Sequence, residues 1–164
     1  MSKKFLREEI TMTKAFSGST VLSESLQKVL TDVTALSLVG KQLHWNIVGV
    51  GFRGLHLYLD EVVAVARAAS DEIAERMRAV NLVPDGRPET VGQMTSLPPV
   101  KETLLTSEET VAAAVASINA TVGTMRQVHE KVDAEDPASA DILLDYIRQL
   151  EQQAWFIGSS VDMA

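Results

Sequence analysis

The sequence predicts an all-α protein: four long helices in two antiparallel pairs, joined by one long crossover that carries a short helix. Three observations carry this reading. Four long stretches repeat apolar residues at four- and three-residue spacing, the mark of a buried helix face. Short breaks, one rich in glycine around Gly49, Gly51 and Gly54 and one at Asp136-Pro137, separate the members of each pair. Between the pairs, residues 81–105 lose the periodicity and are punctuated by Pro84, Asp85-Gly86, Pro88 and Pro98-Pro99.

Taken in order, residues 1–17 read as a flexible basic tail and residues 18–164 as one bundle domain. The tail carries Lys3, Lys4, Arg7 and Lys14 against Glu8 and Glu9. The first long helix should run from about Thr20 to Ile47, with Leu22, Leu26, Val29, Val33, Leu36, Leu43 and Ile47 on its buried stripe and Gly40 in the one gap. The second should run from Phe52 to about Val80 on Leu55, Leu59, Val62, Ala66, Ala69 and Ile73. At 1.5 Å per residue, each is roughly 40 Å long. The crossover is long enough to return the chain to the far end of the bundle, with a short helix at Glu89–Thr95. The third helix begins near Thr106, where Thr106 and Glu109 form a capping box, and buries Val111, Ala114, Ile118, Val122, Met125 and Val132. Asp136 and Pro137 read as N-cap and first turn of the fourth, which buries Leu143, Ile147, Leu150, Ala154 and Ile157 and ends at Gly158. Two antiparallel pairs with one long crossover is the ferritin-like bundle topology.

Composition narrows the chemistry. The chain has no cysteine, so any metal site must use nitrogen and oxygen ligands. A net charge of −7 argues against a nucleic-acid-binding body surface. The start, MSKKFLREEITMTK, lacks the apolar core of a signal peptide, and no apolar run is long enough to span a bilayer, so a cytoplasmic location is the default expectation.

The candidate ligands cluster between His44 and Glu75. His56 and Asp60 are four apart, as are Asp71 and Glu75, so each pair shares a helix face. Folding the chain about residue 50 sets His44 opposite His56. Asp60 and Asp71 are separated by eleven residues, close to three turns and about 16 Å of rise. Metal–ligand bonds of about 2 Å cannot bridge that gap. A second copy packed antiparallel, with a two-fold axis near Val65 and Ala66, solves the geometry. The two histidines and Asp60 of one chain would then face Asp71 and Glu75 of the other, twice over. Ala64, Ala66, Ala68, Ala69 and Ser70 are small enough for such an approach. The usual di-iron centre of the ferritin-like topology instead lies within one bundle and uses Glu-x-x-His. No such motif occurs: Lys41, Arg53 and Arg126 stand three residues before the histidines.

The segment LHWNIVGVGFRGLHLYLDE, followed by DEIAERMRA, resembles the signature of the Dps family, the ferritin-like DNA-binding proteins from starved cells. The resemblance extends over essentially the whole chain, through the crossover to LEQQAWFIGS. It implies a hollow homododecamer with ferroxidase sites at two-fold interfaces: His44, His56 and Asp60 from one subunit, Asp71 and Glu75 from its neighbour. It also implies that iron(II) is oxidised, by hydrogen peroxide in preference, and stored as an iron(III) mineral. Histidines bind metal when neutral, so uptake should weaken as pH falls through about 6.5.

Four features keep two readings each. Trp45 is either a neighbour of the site that intercepts stray oxidising equivalents or an aromatic core anchor. Asp133, Asp141 and Asp145, with Glu130, Glu135 and Asp136, resemble the lining of an iron-uptake pore in Dps shells; the alternative is a solvated loop and a helix start. His129, four residues before Asp133, is a second metal ligand or a surface histidine. Lys3, Lys4 and Arg7 belong either to a disordered, solvated terminus or to tails that bind DNA through multivalency. The latter would make the alternative function nucleoid compaction, with a nucleoid-associated location. No membrane partner is expected.

Overall fold

The structure, a computed structural model, describes residues 15–160. It contains α1 (Thr20–Asn46), α2 (Phe52–Ala79), α3 (Pro88–Met94), α4 (Ser107–Glu135) and α5 (Pro137–Gly158). The helix α1 packs on α2 and α4, and α5 packs on α4 and α2, which closes a four-helix bundle. The short α3 lies against α1.

Each predicted stripe faces inward. Leu22, Leu26, Leu36 and Leu43 of α1, Leu59 and Ile73 of α2, Ile118 and Met125 of α4, and Leu143 and Leu150 of α5 are all fully buried. Burying one such side chain is worth about 1.5–3 kcal/mol. Gly40 fills its gap for a steric reason: a Cβ there would fall 2.6 Å from Val63 Cγ2. The missing side chain lets α2 close on α1 just before the histidines.

Helix ends follow the local chemistry. The Thr106 hydroxyl accepts from Glu109 N and the Glu109 carboxylate accepts from Thr106 N, the predicted capping box. Ser19 caps α1 by accepting from Val21 N and Leu22 N. Glu135 in turn accepts from Ser19 N at 2.7 Å and Ser19 Oγ at 2.6 Å, so one end of α4 secures the start of α1. Of the expected tail, residues 15–17 are described: Phe16 O accepts from Asn81 Nδ2, and the neighbouring Gly18 N donates to Val80 O.

At the α4–α5 junction the structure corrects one expectation. Asp136 occupies the N-cap position of α5, but its side chain makes no cap hydrogen bond. The carboxylate is drawn instead to Arg76 of α2, at 2.7 and 2.9 Å, and to the Ser139 hydroxyl. Pro137 at the first helical position lacks an N–H, and the fixed φ of its ring starts the helix.

The crossover is held by a buried acid. Asp32 of α1, 2% exposed, accepts from Thr95 Oγ1 (2.9 Å), Ser96 N (2.8 Å), Ser96 Oγ (2.6 Å) and Thr124 Oγ1 (2.6 Å). Four donors satisfy the buried carboxyl group, as burial of a polar group requires. At its other end the crossover pairs with the α1–α2 turn, through Leu105 N to Asn46 O and Val48 N to Leu105 O, each 2.9 Å. That turn is tight because Gly49 and Gly51 adopt positive φ, at 101° and 79°.

Candidate metal centre

The tight turn brings the last turn of α1 against the first of α2. His44 and His56 stack there, with ring centroids 3.5 Å apart and planes 23° from parallel. Each ring is fixed by the other residue's backbone. His44 Nδ1 donates to His56 O at 2.8 Å, and His56 Nδ1 donates to His44 O at 3.0 Å. A carbonyl oxygen only accepts, so each Nδ1 carries a proton, and Nε2 is the nitrogen of each ring left to offer a lone pair to a metal. This is the second-sphere bond that orients a metal-binding imidazole.

Asp60, one turn along α2 from His56, lies 3.4 Å from His44 Nδ1 and forms an ion pair with Lys41 Nζ. The Lys41 hydrogen bond outweighs the opposing effect of desolvation and holds the Asp60 carboxyl below its ordinary range. The aspartate is thus kept anionic, but a metal must compete with an ammonium for it. Lys41 is the one member of this cluster that the sequence reading did not assign. Its position was readable: antiparallel pairing about residue 50 sets it across from Asp60.

Asp71 and Glu75 lie farther along α2, both exposed, on the outward stripe that also carries Ala64 and Ala68. Among the described residues, no three histidine or acidic side chains converge closely enough to hold a metal within one chain. One chain therefore presents two separate parts, an imidazole–carboxylate cluster and an acidic pair, on one helix. The small residues divide differently from the expectation. Ala66 and Ala69 are fully buried in the chain's own core, leaving Ala64 and Ala68 on the surface. The reason is registry, because Ala66 and Ala69 continue the stripe of Leu59, Val62 and Ile73.

Trp45 is 69% exposed, which removes the core-anchor reading for this chain. It lies two residues from both Leu43 and Ile47, about 200° around the helix, and so points away from their stripe. With Ser37, Leu38, Lys41, Gln42 and Arg67 it lines a groove of about 430 Å³ beside the centre. Asp133, Asp141 and Asp145 are exposed. Asp145 pairs with Arg148 at 2.7 Å and Gln149 at 2.7 Å, and Glu135 is committed to Ser19. His129 is partly buried, with no hydrogen-bond partner at Nε2 among the described residues. Lys3, Lys4 and Arg7 lie outside the described residues.

The ferritin-like domain family model matches residues 23–163. The DNA protection during starvation protein of Mycolicibacterium smegmatis is 29% identical over 143 residues, covering 87% of this chain and 78% of that protein. The protein of the same name from Halobacterium salinarum is 31% identical over 135 residues, covering 82% of this chain and 74% of that one. The crystal structure of Dps92 from Deinococcus radiodurans superposes with a TM-score of 0.83 at 25% identity, covering 88% of this chain and 87% of that chain. The chain belongs to the Dps branch of the ferritin-like family.

Proposed function

We propose that this protein is a ferroxidase and iron store of the Dps type, a metal-oxidising oxidoreductase. The observation that carries the reading is the reciprocal clasp of His44 and His56. It fixes both tautomers with Nε2 free, beside a carboxylate held anionic, in the segment where two-fold symmetry would bring another chain's acidic pair. Iron(II) is the substrate. His44, His56 and Asp60 of one subunit bind it together with Asp71 and Glu75 of a neighbour. Nitrogen and oxygen donors of this kind suit ferrous iron, and added carboxylates favour the higher charge of the ferric product. Two iron(II) ions give up two electrons; one hydrogen peroxide accepts them with two protons and leaves as two water molecules. Dioxygen is the alternative oxidant. The iron(III) collects as mineral inside a twelve-subunit shell in the cytoplasm, reached through a pore lined by Asp133, Asp141 and Asp145.

Stopped-flow iron(II) oxidation with peroxide or dioxygen, on protein of measured mass, tests the site. Asp71→Asn and Glu75→Gln each remove rapid oxidation by at least about tenfold, the usual scale for losing one metal-supporting group, while the assembly mass stays unchanged. Wild-type kinetics in both variants overturn the assignment.

A second reading is favoured by the name of the relatives, DNA protection during starvation protein. Tails carrying Lys3, Lys4 and Arg7 would bind DNA from an otherwise acidic shell. Full-length protein then retards duplex DNA at low salt and loses this on deletion of residues 1–13; an unshifted duplex ends that reading.

A further inference from the structure

At one end of the bundle a cavity of about 670 Å³ opens over the turn between α1 and α2. Val48, Val50, Leu55 and Tyr58 line it beside the first turn of α4, and Ser160 is part of its wall. The turn is the one that sets His44 against His56: Val48 follows His44 by four residues, and Leu55 adjoins His56. Its apolar side is open, with Val50 94% and Val48 41% exposed. Gly54 also lines the cavity. It has neither the positive φ of Gly49 and Gly51 nor a steric neighbour, since a Cβ there would meet nothing within 4 Å among the described residues. The described residues thus give no reason for glycine at this position, whereas a segment crossing the cavity would need the space.

We propose that the residues after Ser160, Val161 to Ala164, fold back into this cavity and brace the turn that carries the histidine clasp. Position, reach and pattern select this occupant. Ser160 already forms part of the wall, so the segment begins inside the site. A sphere of the cavity's volume is about 11 Å across, and four extended residues reach about 13 Å. Side chains alternate along an extended segment, so Val161 and Met163 share one side and Asp162 takes the other. The apolar pair turns to Val48, Val50 and Leu55, and the Asp162 carboxylate stays in water, away from Glu108 on the wall. A directly tethered segment also meets the cavity at an effective concentration on the order of millimolar, ahead of any dilute partner of similar apolar chemistry. Covering the turn removes Val48 and Val50 from water and slows its local opening, which keeps the two carbonyls of the clasp in place. The bracing does not depend on the ferroxidase reading, and its test needs no iron.

The test is methyl nuclear magnetic resonance on the assembled full-length protein, with isotope-labelled methionine and valine methyls. Met163→Ala identifies the Met163 resonance. The expected result is Overhauser cross-peaks from the Met163 methyl to the methyls of Val48 and Val50. Their intensity per labelled chain stays the same when that chain is co-assembled with an excess of unlabelled chain, as an intrachain contact requires. Gly54→Leu fills the cavity from its own wall, leaves the segment's sequence intact and abolishes the cross-peaks. Hydrogen exchange supplies the second readout: deleting residues 161–164, or combining Val161→Asp with Met163→Asp, speeds exchange of the amides of residues 48–54 several-fold. Cross-peaks that vanish on dilution put a second copy in the cavity and overturn the proposal. So do a Met163 methyl that contacts neither valine, cross-peaks unchanged by Gly54→Leu, and exchange in the turn that the deletion leaves unaltered.

Discussion

Two residues of this chain show how much of a site can be set by backbone. His44 and His56 each donate Nδ1–H to the other's carbonyl, so their tautomers are decided by a turn and not by neighbouring side chains. The opposition of the two rings follows from a hairpin about residue 50. The reciprocal bonds leave no trace in the sequence, because every residue type carries the same carbonyl. The same limit explains Asp136. As an Asp before a proline it reads as a cap, yet tertiary pairing with Arg76 wins, since a bidentate charged bond is stronger than one cap bond. Burial tends to raise the Asp136 pKa, and the Ser139 and Arg76 hydrogen bonds outweigh it, leaving the folded value below the ordinary one. The sign follows from linkage: the pair's contribution is complete above the ordinary carboxylate pKa and is lost as pH falls through the depressed folded value. Asp136→Asn is therefore expected to cost about 3 kcal/mol at neutral pH, the lower end for breaking a buried pair, because the Arg76 side chain is 27% exposed. Urea unfolding from pH 7 to pH 3 should show the gap between variant and wild type narrowing below about pH 4. A gap constant across that range contradicts the pairing.

At the scale of elements, the contact between α1 and α2 positions the imidazoles, and Gly40 sets its closeness. A methyl at Gly40 meets Val63 Cγ2 at 2.6 Å. Two effects oppose. Alanine gains about 1 kcal/mol over glycine in a helix interior, while overpacking costs about 1–3 kcal/mol. The expected result for Gly40→Ala is a small net destabilisation that disappears when Val63→Ala makes room. A double-mutant cycle by thermal unfolding checks this: the coupling must be favourable, and simple additivity rejects the steric account. The long helices were legible in the sequence to within a residue or so because stripes, the Thr106 capping box and Pro137 all mark local physics. Less legible were the long-range ties. Asp32 reads as an ordinary polar position on α1, and nothing local says that Thr95, Ser96 and Thr124 will converge on it. Glu135 likewise reads as one more acid in an acidic loop until it is seen holding Ser19.

For the whole molecule, the proposed centre divides its ligands between two copies. The imidazole cluster and the acidic pair lie three helical turns apart on α2, a distance no side chain spans. The interchain reading therefore makes a prediction that no intrachain site can satisfy. Take one variant with both acids removed, Asp71→Ala with Glu75→Ala, and another with both histidines removed, His44→Ala with His56→Ala. Each alone should be inactive in rapid iron oxidation. In a mixed two-fold pair, one centre receives intact histidines from the first chain and intact acids from the second, while the other centre receives neither. Random co-assembly makes about half of all pairs mixed, and half of their centres whole, so activity should return to about one quarter of the wild-type value. If all ligands came from one chain, every centre would stay broken and mixing would restore nothing. The measurement is the burst amplitude of iron(II) oxidation in co-expressed, mass-verified assemblies against the same variants mixed after assembly. Recovery confined to the co-expressed sample shows that subunits share the centre; no recovery in either returns the ligands to a single chain and ends the two-fold account.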